Sequence, residues 1–443
     1  MFERVSLFAR SRRGRVLVPG FIASTIAIGA CSSSDGGPGS AGAAGAPSYG
    51  GQAGQAAVGG SGAGSGAQSS AGAPAAGGTP TMGGASGSGG TLATGGAVAS
   101  GGNAAAGTSP TGGTSGAGGS SSNSSPCDIY AGGNTPCVAA HSTVRALFGA
   151  YNGALYQVRR ASDKTTTDVD VLEPGGYANS ATQDAFCAGT TCTISAIYDQ
   201  SAQGNHLTVT PPGGWLPNGG VEAKATAAKI MVSGHAVYGV YTTGSFDAAV
   251  GSVGYRNNKT KGIATGDQPE GIYMVASGKH YNSWCCFDYG NAEMNNKDNG
   301  PGTMEALYFG NSTQWGKGSG SGPWVMVDLE DGVFAGGSFS APPSNTSLAV
   351  TFVTAMLEGK SGSFALKGGD AQSGTLKVMY DGARPMGGYD PMKKEGAIIL
   401  GVGGDNSHTG EGTFFEGCIT SGAPSDATNA AVQANIVTAG YGR

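Results

Sequence analysis

Between Ser32 and Ser125 the chain is built almost entirely of Gly, Ala, Ser and Thr. These 94 residues hold 31 of the 84 glycines and a single charge, Asp35. They contain almost nothing to bury, so ordering them would cost conformational entropy with no core to offset it. The run is expected to be a disordered linker, with an r.m.s. span of roughly 50 Å. Any fold is thereby confined to the 318 residues from Pro126 to Arg443. Charged residues make up only 12% of the chain, against about 25% on average. That excludes a long-helix protein, and the lack of a strict Gly-X-Y period excludes collagen.

The first 30 residues carry Arg4, Arg10, Arg12, Arg13 and Arg15 against one acid, Glu3. An apolar stretch from Val16 to Ala30 follows, broken by Pro19 and Gly20. It is too short to span a bilayer, which takes about 20 residues. A basic segment ahead of a short apolar one predicts a secretory signal. The stretch ends in Ile28-Gly29-Ala30-Cys31, which resembles a bacterial lipobox; the alternative is an ordinary signal followed by a chance cysteine. The expected organisation is a lipoprotein signal over 1–30, a lipidated Cys31 with its linker over 31–125, and one folded domain over 126–443. The domain would then hang from a membrane by a lipid anchor, at a bacterial cell surface or in the periplasm.

The whole chain has a formal charge of −5, and removing the basic signal and Asp35 leaves the domain at −8. An acidic surface without a basic stripe excludes a nucleic-acid partner and suits a neutral substrate. Besides Cys31 there are seven cysteines. Cys127/Cys137 and Cys187/Cys192 have loop-closing spacings in a chain whose signal permits disulfides. Cys285 and Cys286 are adjacent, with Cα atoms about 3.8 Å apart, below the usual disulfide range of about 4.4–6.8 Å. A bond between them would make a rigid kink; two free thiols, or partners elsewhere, are the alternatives. Cys418 is left over as a small buried apolar residue. No Cys-x2-Cys or His-Glu-x-x-His occurs, the five histidines are scattered, and neither a Gly-x-Ser-x-Gly elbow nor a phosphate loop stands out. No metal or organic cofactor is therefore expected, and the chemistry falls to carboxylates.

Short apolar runs punctuated by Gly, Asn, Asp and Pro predict strands at Thr193–Tyr198, Gly271–Val275, Leu348–Val353 and Ala397–Leu400. Helices are expected through Val138 to Tyr151 and over Ala427–Ala439, the latter after the capping pair Ser425-Asp426. The pattern is that of an all-β sandwich or barrel.

Two acidic runs look placed. Pro323 to Gly332 reads as a strand entering a turn, with Asp328 and Glu330 on one face and Val327 and Leu329 on the other. Crowded acids raise one another's pKa, and this run adds Asp331 beside Trp315 and Trp324. A solvated strand end is the plainer reading. The second run, Leu400 to Ser407, carries Gly403-Gly404-Asp405-Asn406. It is either a simple Asx-turn or a strand end that projects Asp405 into a cleft where glycines admit a substrate. Glu330 with Asp405 would supply the two carboxylates of glycoside hydrolysis.

Several long runs carry a family resemblance: Cys127-Asp128-Ile129-Tyr130, Ala139-Ala140-His141-Ser142-Thr143, Gln183 to Cys187, Ile197-Tyr198-Asp199-Gln200-Ser201, Gly204 to Thr208, Cys285 to Asn291, and Lys394 to Gly401. The segment from Cys127 onward resembles the catalytic domain of glycoside hydrolase family 54, the α-L-arabinofuranosidases of the B type. The resemblance implies a β-sandwich of lectin or jelly-roll type and a retaining, exo-acting mechanism on arabinose-containing plant polysaccharides. It implies Glu330 as nucleophile and Asp405 as acid/base. Asp328, Asp331, Trp315, Cys285, Cys286, Gly404 and Asn406 would then meet the sugar. It further implies the bridges Cys127–Cys137, Cys187–Cys192 and Cys285–Cys286; a monomer is expected.

There are two departures. The family commonly has Asn where this chain has Asp331, whose charge is expected to disfavour ionisation of Glu330. Fungal members also carry a C-terminal arabinose-binding domain, which is not expected here. A non-catalytic arabinose-binding surface lectin, with the acids reduced to ligands, is the alternative, and a structural surface protein is a third class.

Overall fold

The computed structural model describes residues 124–247 and 250–443. The expected signal, Cys31 and the linker as far as residue 123 lie outside the described residues. Two antiparallel sheets form the body, as the strand pattern predicts. In the first, Glu270–Tyr281 lies between Phe352–Lys360 and Gly412–Ser421, so Ile272 sits opposite both Leu357 and Ile419. Its order runs from Ser373–Ala383 at one edge to Ala228–Val232 at the other. The second sheet has eleven strands, with Asp288–Ala292 flanked by Glu305–Gly310 and Ala397–Leu400.

Alternation along these strands decides where a site can lie. Tyr289, Leu307, Val325, Val327, Ile398 and Leu400 join the large core between the sheets. Their neighbours Tyr308, Met326, Ala306 and Ile399 fall in smaller clusters on the opposite face. Side chains of one parity share one face, so Asp288 and Asp328 stand on that outer face, under loops that bury it. On the first sheet the outer face is covered instead by helices. Tyr130, from the helix Pro126–Gly132, lies 6.1 Å from Tyr273 and donates its hydroxyl to Asn429 of the helix Asp426–Thr438.

That last helix begins where the capping pair predicts, with Thr428 N–H donating to Ser425 Oγ at 3.2 Å. The other expected helix is absent. Cys137–Ser142 is a strand paired with Gly412–Ser421, Ala140 opposite Cys418. Sheet pairing overrides the local pattern there, and the first helix among the described residues precedes it, where Ser125 N–H donates to Asp128 Oδ2 at 3.1 Å. The strand expected over Leu348–Val353 starts only at Phe352. Disulfides join Cys127–Cys137 and Cys187–Cys192, with Cα separations of 5.5 and 5.8 Å, and Cys285–Cys286 across a cis peptide. Cys418 is a free thiol buried in the core.

Candidate active site

The strand Trp324–Asp328 ends at Asp328, so Glu330 does not reach the site by strand alternation. Glu330 and Asp331 have φ of 58° and 55°. Two successive non-glycine residues in the left-handed region cost on the order of 1 kcal/mol each, and such strain gathers at functional positions. Glu330 N–H donates to Asp328 Oδ1 at 3.1 Å, and Leu329 N–H to the Gly332 carbonyl at 3.1 Å. This tight turn buries the Glu330 carboxyl beside Asp328 and leaves Asp331 exposed.

The second run leaves its strand at Leu400 through Gly401 (φ 77°). Gly403 N–H donates to Ser407 O at 2.9 Å, and Asp405 Oδ1 accepts from Ser407 N–H at 2.8 Å. The loop is therefore an Asx-turn as well as a site element. Arg256, buried in the strand Tyr255–Asn257, holds it from below. Its Nη1 donates to Gly404 O at 2.6 Å and Asn406 Oδ1 at 3.1 Å, and its Nη2 donates to Glu293 O. Asn406 (φ 62°) is buried, and its Nδ2 donates to Pro211 O and Gly213 O, both at 3.1 Å. These partners occupy both ends of its side-chain amide, so it positions the loop.

The two runs meet at Gly404. A Cβ there would lie 2.7 Å from Glu330 Oε2 and would overlap Glu293 Oε2. Glu293 follows the strand Asp288–Ala292 and is buried; Thr303 Oγ1 donates to its Oε1 at 2.6 Å. Burial, then the charges of Glu293, Asp328 and Asp405, push Glu330 far above the carboxylate range. Burial also raises Glu293. Two carboxyl groups this close disfavour one another's ionisation, so they favour holding one proton between them. A second pair repeats the pattern. Burial raises Asp328 to about 7, and burial with the Asp328 charge holds Asp288 well above its usual value. Asp328 Oδ2 lies 3.2 Å from Cys286 Sγ and 3.7 Å from Cys285 Sγ. Those sulfurs are bridged to one another and carry no thiolate charge for a metal. Half-buried Trp315 packs on the cluster formed by this disulfide with Tyr308 and Met326.

Asp331 departs from expectation. Its own carboxyl is raised by partial burial and by Asp298, with which it shares a hydrogen bond. The charges that most disfavour ionisation of Glu330 are Glu293, Asp328 and Asp405. The left-handed turn splays the adjacent side chains apart, and Tyr389 Oη fixes the Asp331 carbonyl at 3.0 Å. Glu293 and Arg256 were missed in the sequence. Glu293 is a lone acid eight residues past Cys285, and Arg256 a lone arginine in a strand. Neither belongs to an acidic run or a motif.

The family model "Alpha-L-arabinofuranosidase B, catalytic" matches residues 126–442. A probable alpha-L-arabinofuranosidase B of Aspergillus fumigatus is 54% identical over 323 residues, covering 72% of this chain and 62% of that protein. An arabinofuranosidase/B-xylosidase of Trichoderma koningii is 55% identical, covering 72% and 63%. A mutant of a family 54 arabinofuranosidase, soaked with 4-nitrophenyl α-L-arabinofuranoside, matches with TM-score 0.69 at 51% identity, covering 72% of this chain and 66% of that one. An arabinofuranosidase complexed with arabinofuranosyl-α-1,2-xylobiose matches with TM-score 0.69 at 51% identity, covering 72% and 65%. The chain spans less than two thirds of the length of these curated relatives.

Proposed function

Because the chain belongs to glycoside hydrolase family 54, the alpha-L-arabinofuranosidase B family, we propose that it is a retaining, exo-acting α-L-arabinofuranosidase that trims arabinose-containing polysaccharides. The observation that carries the reading is the contact at Gly404, where the loop of one acid touches the carboxyl of the other. Asp405 gives a proton to the glycosidic oxygen of a terminal arabinofuranosyl unit. Glu330 attacks the anomeric carbon as that bond breaks, forming an arabinofuranosyl-enzyme. Asp405 then takes a proton from water, which releases arabinose with its configuration retained. Positive charge growing on the sugar draws negative charge to Glu330 and leaves the shared proton on Glu293. Asp328 orients the hydroxyls, and the Cys285–Cys286 kink and Trp315 shape the pocket. A lectin has no need of a proton-sharing acid behind its ligand, which favours the enzyme over the surface lectin.

Proton NMR of the sugar first released from 4-nitrophenyl α-L-arabinofuranoside tests the reading. The α anomer is expected first; absence of turnover in the folded chain would sink it. The Asp405→Ala variant is expected to lose about 10²–10⁴-fold on arabinofuranosyl-xylobiose. It should lose far less in bond cleavage on the nitrophenyl glycoside, because nitrophenolate leaves without a proton. Equal losses would remove Asp405 as the acid.

Glu293 makes a pH prediction. Its charge raises Glu330, and Glu330 must be ionised to attack. Glu293→Gln removes that charge, lowers the Glu330 pKa and moves the acidic limb of kcat/KM to lower pH. An unmoved limb would rule out the shared proton.

We further infer export, with Cys31 lipidated and residues 32–125 as a tether that lets the domain over 126–443 reach a polymer. Disulfides support an oxidising compartment. The variant Cys31→Ala should release the chain from the membrane fraction; continued retention would refute the anchor.

A further inference from the structure

Among the described residues the exposed tryptophans and phenylalanines are Trp215, Phe246, Trp284 and Phe339. Three of them are fastened to the Asp405 loop or to the vicinal disulfide. Trp215 is 70% exposed, yet its N–H donates to the Asp405 carbonyl at 3.0 Å. A Cβ on the preceding Gly214 would overlap that same carbonyl, so the Trp215 segment lies directly against the acid's backbone. Asn406 bonds the segment a second time through Pro211 and Gly213. Trp284, 47% exposed, immediately precedes Cys285, and Phe246, 72% exposed, packs edge-on against it with ring centroids 4.8 Å apart. This pair is tied to the other end of the loop: Ser245 N–H donates to His408 O at 3.3 Å, and Thr409 N–H to Cys285 O at 2.9 Å.

Exposed aromatic side chains held on anchored backbone beside an acid loop mark a contact surface rather than unused core. The position of Asp405 says which part of a ligand would lie here. The oxygen that Asp405 protonates stays with the leaving sugar, so that sugar must lie on the Asp405 side of the pocket, where Trp215 is attached. A pyranose ring presents an apolar C–H face and a hydroxyl rim, which suits an indole set among polar loops. The domain's charge of −8 disfavours an acidic backbone.

We propose that Trp215 is a platform for the neutral pyranose backbone that carries the arabinofuranosyl branch, with the Phe246–Trp284 pair at the other end of the loop as a second contact. The proposal rests on the arabinofuranosidase reading. It gives the protein a binding surface for the polymer itself, separate from the furanose pocket.

The test compares two substrates with the full chain. Methyl α-L-arabinofuranoside has no ring to stack on the platform, whereas arabinofuranosyl-α-1,2-xylobiose does. Trp215→Ala is expected to lower kcat/KM on the trisaccharide about tenfold, mainly through KM. It should leave the methyl glycoside within twofold, and Trp215→Phe should restore most of the loss. Equal losses on both substrates, or none on the trisaccharide, would overturn the platform. Should the wild type hydrolyse neither, the activity reading fails and xylotriose affinity decides. Affinity weakened by Trp215→Ala sustains the platform, and no affinity in the wild type overturns it.

Discussion

Glu330→Ala is expected to lose at least about 10⁴-fold in turnover of 4-nitrophenyl α-L-arabinofuranoside, because it deletes the proposed nucleophile. Azide distinguishes this loss from misfolding. The truncated side chain leaves room for a small anion against the anomeric carbon, with Asp405 still in place. Attack from the Glu330 side gives the β-arabinofuranosyl azide, of inverted configuration. In Asp405→Ala the intermediate still forms, and azide entering from the opposite side gives the α-azide, of retained configuration. Mass spectrometry and NMR of the products read both outcomes. An α-azide from Glu330→Ala, or no rescue in a variant with unchanged circular dichroism, would contradict the assignment.

Gly404→Ala carries the second large effect, although it alters no ionisable group. The added methyl would lie 2.7 Å from Glu330 Oε2 and overlap Glu293 Oε2. The loop cannot retreat, because Arg256 holds its carbonyl and Asn406 is bonded on its far side. The carboxyl groups must move instead. A displacement of about 1 Å at a reacting group costs on the order of 10²-fold in rate. The expected result is a kcat at least that much lower, with the melting temperature within a few degrees of wild type. Activity within twofold of wild type would show that the loop yields, and that the contact is not what positions Glu330.

The body of the fold was legible because its strands announce themselves locally. Ala397–Leu400 is found at the residues its apolar run predicts, and Ser425 caps the last helix as its chemistry requires. Where tertiary pairing sets the structure, the local pattern misleads. Val138, Ala139 and Ala140 suit a helix but complete a sheet. The site was half legible. Asp328, Glu330 and Asp405 stand out as acids in short runs, yet the geometry joining them does not come from strand parity. Two left-handed residues turn Glu330 inward and Asp331 outward, and no rule of alternation foresees that. Glu293 and Arg256 stayed hidden for a related reason. Each is isolated in sequence and acts through a contact with a residue roughly 110 or 150 positions away.

Glu293, Glu330, Asp405, Asp328 and Asp288 crowd together, with Arg256 the cation that feels three of them. An uncharged arabinose offers such a site little electrostatic relief. A ring that carries a positive charge offers a great deal, and the reacting sugar becomes one only fleetingly. A furanose-shaped amine would carry that charge permanently at neutral pH. The protein would thus be blocked most tightly by a small ammonium mimic, and the grip should slacken in acid as the carboxyl groups take up protons.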